Sequence, residues 1–433
     1  MTTTYDPFHP RYLDEKDLRE ELERVFDICH GCRLCFNLCP SFPTLFDAVD
    51  SHNGVVSMLT NKEQNLVIDQ CYQCKLCYIK CPYVPPHEWK LDFPRMMVRA
   101  TAVFAAQKKG NLSEKIADQF LGRTDLLGQV STAASPLVNK ISGARGSFPR
   151  KVMEQTVGIH SERLLPAYTK QRFSVWFRKR SAPALESPKQ QIVLFPTCFV
   201  EYMEPQIGKD AIAVLEHNDI ACSLPDNAKC CGAPWLHNGK IEEFTKKAQN
   251  NIKRLAGEVR NGKKILVTQP TCGYVIRKDY PLYVQNQEAD LVANNTLDLA
   301  EFLVEENRKS EGKSFLKTDF KGEIPKKVIY HLSCHSRAQN IGYRGRDLLK
   351  ITGTEVKLVE RCAGIDGTWG YRKENYDLAK KVIKPLKSAI ETSDADVCCG
   401  DCHLANTAIY EETNKMPTHP VSVLAKAYGI KEE

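Results

Sequence analysis

Cys29-x-x-Cys32-x-x-Cys35-x-x-x-Cys39-Pro40 and Cys71-x-x-Cys74-x-x-Cys77-x-x-x-Cys81-Pro82 are two full copies of one cysteine run. Three thiolates spaced by two residues wrap three corners of an iron-sulfur cube, and the fourth, on a rigid turn before proline, reaches the other cube. The spacing therefore predicts two 4Fe-4S clusters with crossed ligands. Cys29, Cys32, Cys35 and Cys81 hold one, and Cys71, Cys74, Cys77 and Cys39 hold the other. Structural zinc is the competing reading, but zinc sites are built from separated cysteine pairs and need neither a third cysteine nor a Cys-Pro at fixed offset. Crossed ligation brings the clusters close together, a geometry for passing single electrons rather than for binding a substrate. Leu34, Leu38, Leu76 and Ile79 are expected to shield the clusters from water.

Outward from these runs, residues 14–27 place Leu18, Leu22, Val25 and Phe26 at helical spacing among charges. Between Cys29 and Pro86 no long period survives, which suggests a unit held by metal rather than by an apolar core. Residues 1–90 form this first domain. Residues 91–187 contain no cysteine and read as a mainly helical connector, closed by a linker with Pro183 and Pro188. Beyond it, short β-branched runs alternate with helical stretches, the pattern of βα units around a parallel sheet. The expected strands are 192–195, 265–268, 328–331, 356–359 and 395–398; the expected helices are 206–217, 241–258, 376–391 and 421–428. Cysteines fall at or just after strand ends, where open α/β sheets place their sites.

The second half also repeats itself. Cys231 to Cys272 spans 41 positions and Cys362 to Cys402 spans 40, each preceded by a strand-borne cysteine, Cys198 or Cys334. The repeats are 188–310 and 325–433. Cys198, Cys230, Cys231 and Cys272 form a candidate third cluster site, and Cys334, Cys362, Cys399 and Cys402 a fourth. Gly232 permits the sharp turn that lets Cys230 and Cys231 face one polynuclear cluster. Both copies resemble the cysteine-rich CCG domain found in the B subunit of heterodisulfide reductase, in which five thiolates hold a non-cubane 4Fe-4S cluster. Each copy departs from that pattern by one cysteine: Gln269 opens the first expected Cys-x-x-Cys, and the second Cys-Cys-Gly reads Arg361-Cys362-Ala363-Gly364. Cys222 reads as an inert buried thiol. Cys398 adjoins a candidate ligand and is available to replace a missing one. His335 and His403, each next to a candidate cysteine, read as hydrogen-bonding neighbours rather than ligands.

Composition narrows the function further. The chain has 433 residues and 18 cysteines, opens without a secretory signal pattern, and has no run of the ~20 apolar residues that span a bilayer. Reduced, metal-bound cysteines in a cytoplasmic protein are expected. The net charge of +7 is spread over interspersed acids and bases, so no nucleic-acid partner is implied. Residues 170–180, rich in Lys, Arg, Phe and Trp, suit either docking at the inner face of the cell membrane or ordinary helix packing. No Gly-x-Gly-x-x-Gly and no phosphate-loop motif occurs, and Gly364 to Gly367 reads as a turn beside the fourth site.

The order of these parts gives an α+β multidomain fold, a helical ferredoxin-like 2x4Fe-4S domain followed by two α/β CCG domains. Over essentially its whole length the chain resembles the family of C subunits of anaerobic glycerol-3-phosphate dehydrogenases. Segments 124–132, 198–200, 205–210 and 367–376 carry that likeness. Iron-sulfur subunits of glycolate- and lactate-oxidising complexes are similar too. The resemblance implies a partner flavin dehydrogenase, electron delivery towards membrane quinone, and no catalytic residue in this chain. Two alternatives stand beside it: a thiol/disulfide oxidoreductase of heterodisulfide reductase type, and a donor to a soluble peroxide-reducing iron protein.

Overall fold

A computed structural model describes residues 5–107, 117, 119–183, 185–310 and 315–431. Parts of the expected connector and linker, residues 108–116, 118 and 184, lie outside the described residues. The front unit is helical. Its first helix, Glu15–Cys32, is capped by Asp14, whose side chain accepts from Asp17 N, and buries Leu18, Leu22, Val25 and Phe26. It runs past the expected end at residue 27 and carries Cys29 and Cys32. Arg33 then turns the chain with φ of 51°, so the following cysteine leaves the helix axis.

The expectation of a unit without an apolar core is overturned. Helices Ser41–Ser51 and Asn61–Asp69 fill the stretch between the cysteine runs. Phe42, Leu45, Phe46, Val49, Val67 and Ile68 pack there with the first helix. The helix Phe93–Gln107, beyond residue 90, adds Met96, Met97, Ala100 and Val103 to the same core. Cysteine and proline mask that period in the sequence because the helices between them are short. Arg99, 0% exposed, fastens this helix by donating to the carbonyls of Tyr12 and Arg11 and to Asp17 at 2.8, 2.6 and 2.7 Å.

The rear half holds two parallel sheets. β1 (Gln190–Leu194), β2 (Ile220–Ser223), β3 (Lys264–Val267) and β4 (Thr296–Asp298) lie in the order β2-β1-β3-β4. β5 (Lys327–His331), β6 (Glu355–Val359) and β7 (Val397–Gly400) lie in the order β6-β5-β7. β2 and β4, short edge strands, have no counterpart among the expected strands. β7 starts two residues later than expected, which draws Cys399 into the sheet.

Alternate residues of the first sheet feed opposite cores: Val193, Ile265 and Val267 one, Ile192, Leu194 and Leu266 the other. The second of these cores also takes Val421, Leu424 and Tyr428 from the helix region that closes the second repeat. The two repeats therefore share buried apolar surface, at roughly 25 cal/mol per Å² removed from water.

Candidate metal centre

The front unit contains two cysteine-lined cavities of similar size. One, with an empty volume of about 290 Å³, is lined by Cys39, Cys71, Cys74 and Cys77 together with Leu38, Phe42 and Phe93. The other, about 310 Å³, is lined by Cys29, Cys32, Cys35 and Cys81 together with Ile28, Phe46 and Leu91. Each cavity thus receives three thiols from one run and one from the other, and Phe42 borders both. The backbone turns that aim these thiols are tight: Arg33, Gln73 and Lys75 all have positive φ, between 51° and 64°.

Burial pushes the Cys35 and Cys71 thiols up to about 11, and pushes Cys29, Cys39, Cys74 and Cys77 upwards as well. Neighbouring cysteine charges add to the rise at Cys29, Cys35 and Cys39. A dry cavity ringed by sulfur favours bound positive charge, which is what lets metal-binding thiols ionise. Donors also point at sulfur: Tyr83 N at 3.4 Å from Cys81 Sγ and Gln73 Nε2 at 3.6 Å from Cys71 Sγ. Of the four expected shielding residues, Leu76 is buried, whereas Leu34 and Ile79 are 46% and 45% exposed. Leu34 nevertheless lines the second cavity and Leu38 the first, whereas Ile79 lines neither.

In the first rear repeat Cys198, Cys230, Cys231 and Cys272 come together in a chain of thiol contacts. Cys198 and Cys231 both donate towards Cys230, and Cys231 also meets Cys272. The hydrogen bonds from Cys198 and then Cys231 hold Cys230 well below the usual thiol range. Asp125, from the helix Thr124–Ala133, accepts from Cys230 N at 2.7 Å and pairs with Lys247. Thr124 Oγ1 lies 3.5 Å from Cys198 Sγ. No cysteine spacing points to Asp125 or Thr124; sequence reasoning missed both.

The expected fourth group does not assemble. Cys334 and Cys362 are in contact, and Tyr72 Oη and Gly364 N lie 3.2 and 3.3 Å from Cys362 Sγ. The Cys334 contact, followed by the Tyr72 hydrogen bond, lowers the Cys362 thiol to about 7. Cys399, 0% exposed and paired with Tyr330 in the sheet, packs among Val328, Leu349 and Val423 instead. Cys398 points to the opposite face, among Ile329, Ile383 and Leu386. Cys402 Sγ accepts from Gln269 Nε2 at 3.3 Å.

Backbone geometry explains the misreading. Thr197 and Ser333 cap the helices that begin at Cys198 and Cys334, with φ, ψ of −67°, 158° and −68°, 157°. Gln269 and Cys402 occupy matching caps after β3 and β7, at −114°, 114° and −113°, 112°. Gly232 and Gly364 share positive φ. Cys230-Cys231-Gly232 therefore corresponds to Cys362-Ala363-Gly364, and Gln269 and Cys272 to Cys402 and Ala405. The register read from cysteine spacing was one residue off at the first motif and three at the second.

His335 Nδ1 meets Thr271 Oγ1 at 3.1 Å, and His403 Nδ1 meets Gln269 Oε1 at 2.7 Å. Burial lowers both imidazoles to about 3, so both rings are neutral. Cys222 lies on β2 against the apolar core, its thiol pushed up by burial. In 170–180 the aromatic residues face inward: Phe173 is 0% exposed and Trp176 and Phe177 pack on the same core. The Gly364–Gly367 stretch is buried irregular backbone that leads into a turn at Gly367, with positive φ at both glycines.

A helical unit with two ferredoxin-type cysteine runs, placed ahead of two parallel-sheet cysteine repeats, defines an iron-sulfur protein of the electron-transfer class. The citrate utilization protein B Fer4-like domain matches residues 22–107, and the CCG cysteine-rich domain matches 192–277 and 328–415. The C subunit of anaerobic glycerol-3-phosphate dehydrogenase from Escherichia coli (strain K12) is 32% identical over 311 residues, 71% of this chain and 76% of that one. The chain belongs to the family of that protein. Lactate utilization protein A of Shouchella clausii is 28% identical over 222 residues, 49% of this chain and 87% of its own. The B subunit of fumarate reductase (CoM/CoB) from Methanothermobacter marburgensis is 25% identical over 244 residues, 55% and 45% of the two chains.

Proposed function

We propose that this chain is an electron-carrying subunit that receives electrons from a partner flavin dehydrogenase of the glycerol-3-phosphate type and passes them towards membrane quinone. The observation that carries the reading is the pair of front cavities, each with three cysteines of one run and one of the other. Four converging thiols fit a cubane core: Cys29, Cys32, Cys35 and Cys81 would hold one cluster, Cys39, Cys71, Cys74 and Cys77 the second, and Cys198, Cys230, Cys231 and Cys272 a third. A bound 4Fe-4S cluster takes up and returns one electron at a time.

The protein's own residues do the rest. Phe42, between the two cavities, keeps water from the gap. Backbone N–H groups and Gln73 donate to the cysteine sulfurs, which raises the reduction potential. Leu34, which lines the cavity of Cys29, Cys32, Cys35 and Cys81, and Phe36, stacked on its Phe46, are 46% and 48% exposed and give that cavity an apolar rim on which a donor protein can dock.

Membrane contact is assigned to a different surface from residues 170–180. Helices Thr124–Ala133, Ser135–Gly143 and Phe148–Val157 each turn an i, i+4 apolar pair outward: Leu126 with Val130, Leu137 with Ile141, and Phe148 with Val152. Arg123, Lys140, Arg145 and Lys151 are exposed around them, and the one acid between 119 and 153, Asp125, is turned inward to Lys247. Apolar pairs rimmed by cations suit the interface of an anionic bilayer. Among the described residues no helix is long and apolar enough to cross a membrane.

Iron analysis and electron paramagnetic resonance of anaerobically purified protein test the cluster assignment. About eight irons from the front unit, with signals of two interacting clusters, are expected; zinc in place of iron would end this reading. Sedimentation with phosphatidylglycerol vesicles tests the surface, and Phe148→Ser with Leu137→Ser is expected to abolish binding.

A further inference from the structure

The second rear repeat keeps the backbone frame of the first but carries alanine at two of its four cysteine positions. Where the first places Cys231 and Cys272, the second places Ala363 and Ala405, both 4% exposed. Cys402 is engaged by Gln269, and Cys399 lies inside the sheet. Cys334 and Cys362 alone meet. A cubane is held by four thiolates, and two thiols beside two alanine methyls do not fit one.

Two adjacent thiols are suited to a different redox reaction. We propose that Cys334 and Cys362 form a redox-active dithiol–disulfide pair at the junction of the front unit and the second repeat. On oxidation both sulfurs lose their protons to water, one S–S bond forms, and two electrons leave singly to one-electron carriers of the iron-sulfur class. Reduction takes back two electrons and two protons and breaks the same bond. The pair stores two electrons where the rest of the chain handles one at a time.

The surroundings serve that chemistry. Gly364 N–H donates to Cys362 Sγ at 3.3 Å, and Tyr72 Oη, which also reaches Leu38 O at 3.4 Å, lies 3.2 Å from the same sulfur; both groups stabilise it as the leaving sulfur when the disulfide is reduced. Tyr72 stands between Cys71 and Cys74, so one residue links the front cysteine run to the pair. Its ring packs on Trp369 at 4.9 Å, and the Trp369 indole donates to Asp69 O at 2.8 Å, which fixes the phenol. Tyr72, Cys74 and Trp369 belong to one buried cluster, and Cys334 and Cys362, half-buried, pack against it. The electron source rests on the proposed function; the dithiol chemistry does not.

The test uses the full chain, purified without oxygen and equilibrated in dithiothreitol redox buffers. Free thiols are trapped by alkylation and peptides weighed. A Cys334–Cys362 linked peptide is expected to appear and disappear reversibly, while Cys334→Ser and Cys362→Ser retain the wild-type iron content. Tyr72→Phe, which keeps both thiols, is expected to shift the equilibrium towards disulfide by about tenfold, the value of one hydrogen bond to a charged sulfur. Loss of iron in either serine variant would make the pair a metal ligand and overturn the proposal. So would two cysteines that remain alkylatable across the whole buffer range. Wild-type protein without front iron would instead refute the proposed function, and the linked peptide would still be read.

Discussion

The two rear repeats share a backbone and differ in what it carries. Matching caps at Thr197 and Ser333, and at Gln269 and Cys402, fix the same entry angles for the same helices. In one, four cysteines meet; in the other, two. Their supports differ as well. The first site is buttressed by Asp125 and Thr124 of the intervening helices, the second by Tyr72 of the front unit. A repeated fold thus fixes positions, while single side chains and the neighbouring unit decide what chemistry those positions perform.

The largest expected effect comes from exchanging the ligand sets. Ala363→Cys with Ala405→Cys should let the second repeat gather four cysteines and bind about four additional irons, read by iron analysis. Cys231→Ala with Cys272→Ala should remove a similar number. Unchanged iron in both double variants would break the correspondence between the repeats.

Gly128→Ala comes next. A Cβ there would lie 2.4 Å from the Tyr202 ring, so the helix carrying Asp125 must shift. A loss of about 1–3 kcal/mol in denaturant unfolding is expected, with weakened iron retention in the first repeat and none in the front unit.

Asp279 separates the repeats through pH. It sits in the π-helical turn Val275–Asp279, whereas the corresponding helix of the second repeat, His403–Thr413, is regular. Burial pushes its carboxyl up to about 6, against the lowering pull of Lys75 and Arg95. The folded chain therefore holds a proton that the unfolded chain releases above pH ~4. Its contribution to stability is complete below that pH and declines as pH rises through about 6, by roughly 3 kcal/mol. Unfolding curves of Asp279→Asn should lack that slope.

The smallest effect sharpens the comparison most. Thr197→Ala and Ser333→Ala each remove a cap hydrogen bond, to Val200 N and Ser336 N. Each should cost about 1 kcal/mol. Ser333 Oγ also meets Ser336 Oγ at 3.0 Å, so a shared frame requires a loss at Ser333 at least as large as that at Thr197.

Much of this was legible in the sequence. Alternation of β-branched runs with helical stretches predicted five of the seven strands: β1, β3, β5 and β7 carry buried runs of three or four residues, and β6, on a sheet edge, alternates polar with apolar residues. β2 and β4 were not legible: at three or four residues on a sheet edge, they leave too little pattern. The front helices were hidden because cysteine and proline interrupt the period, although Phe42, Leu45, Phe46 and Val49 keep helical spacing. Cysteine spacing misled at Cys399 because a strand cysteine and a ligand cysteine are the same letter. Only its neighbours, Val328 and Val423, separate them.

Local chemistry, then, can be read along the chain: two cysteine runs spaced as cluster ligands are, a repeated βα unit, and no nucleotide motif. Tertiary structure alone decided which thiols meet. Cys39 and Cys81 cross to the cavities of the opposite runs, Cys399 turns into the sheet, and Tyr72 reaches Cys362 across 290 positions. The physical reason is that a thiol's role depends on which groups surround its sulfur, and those groups are brought together by helix caps and strand register between segments distant along the chain.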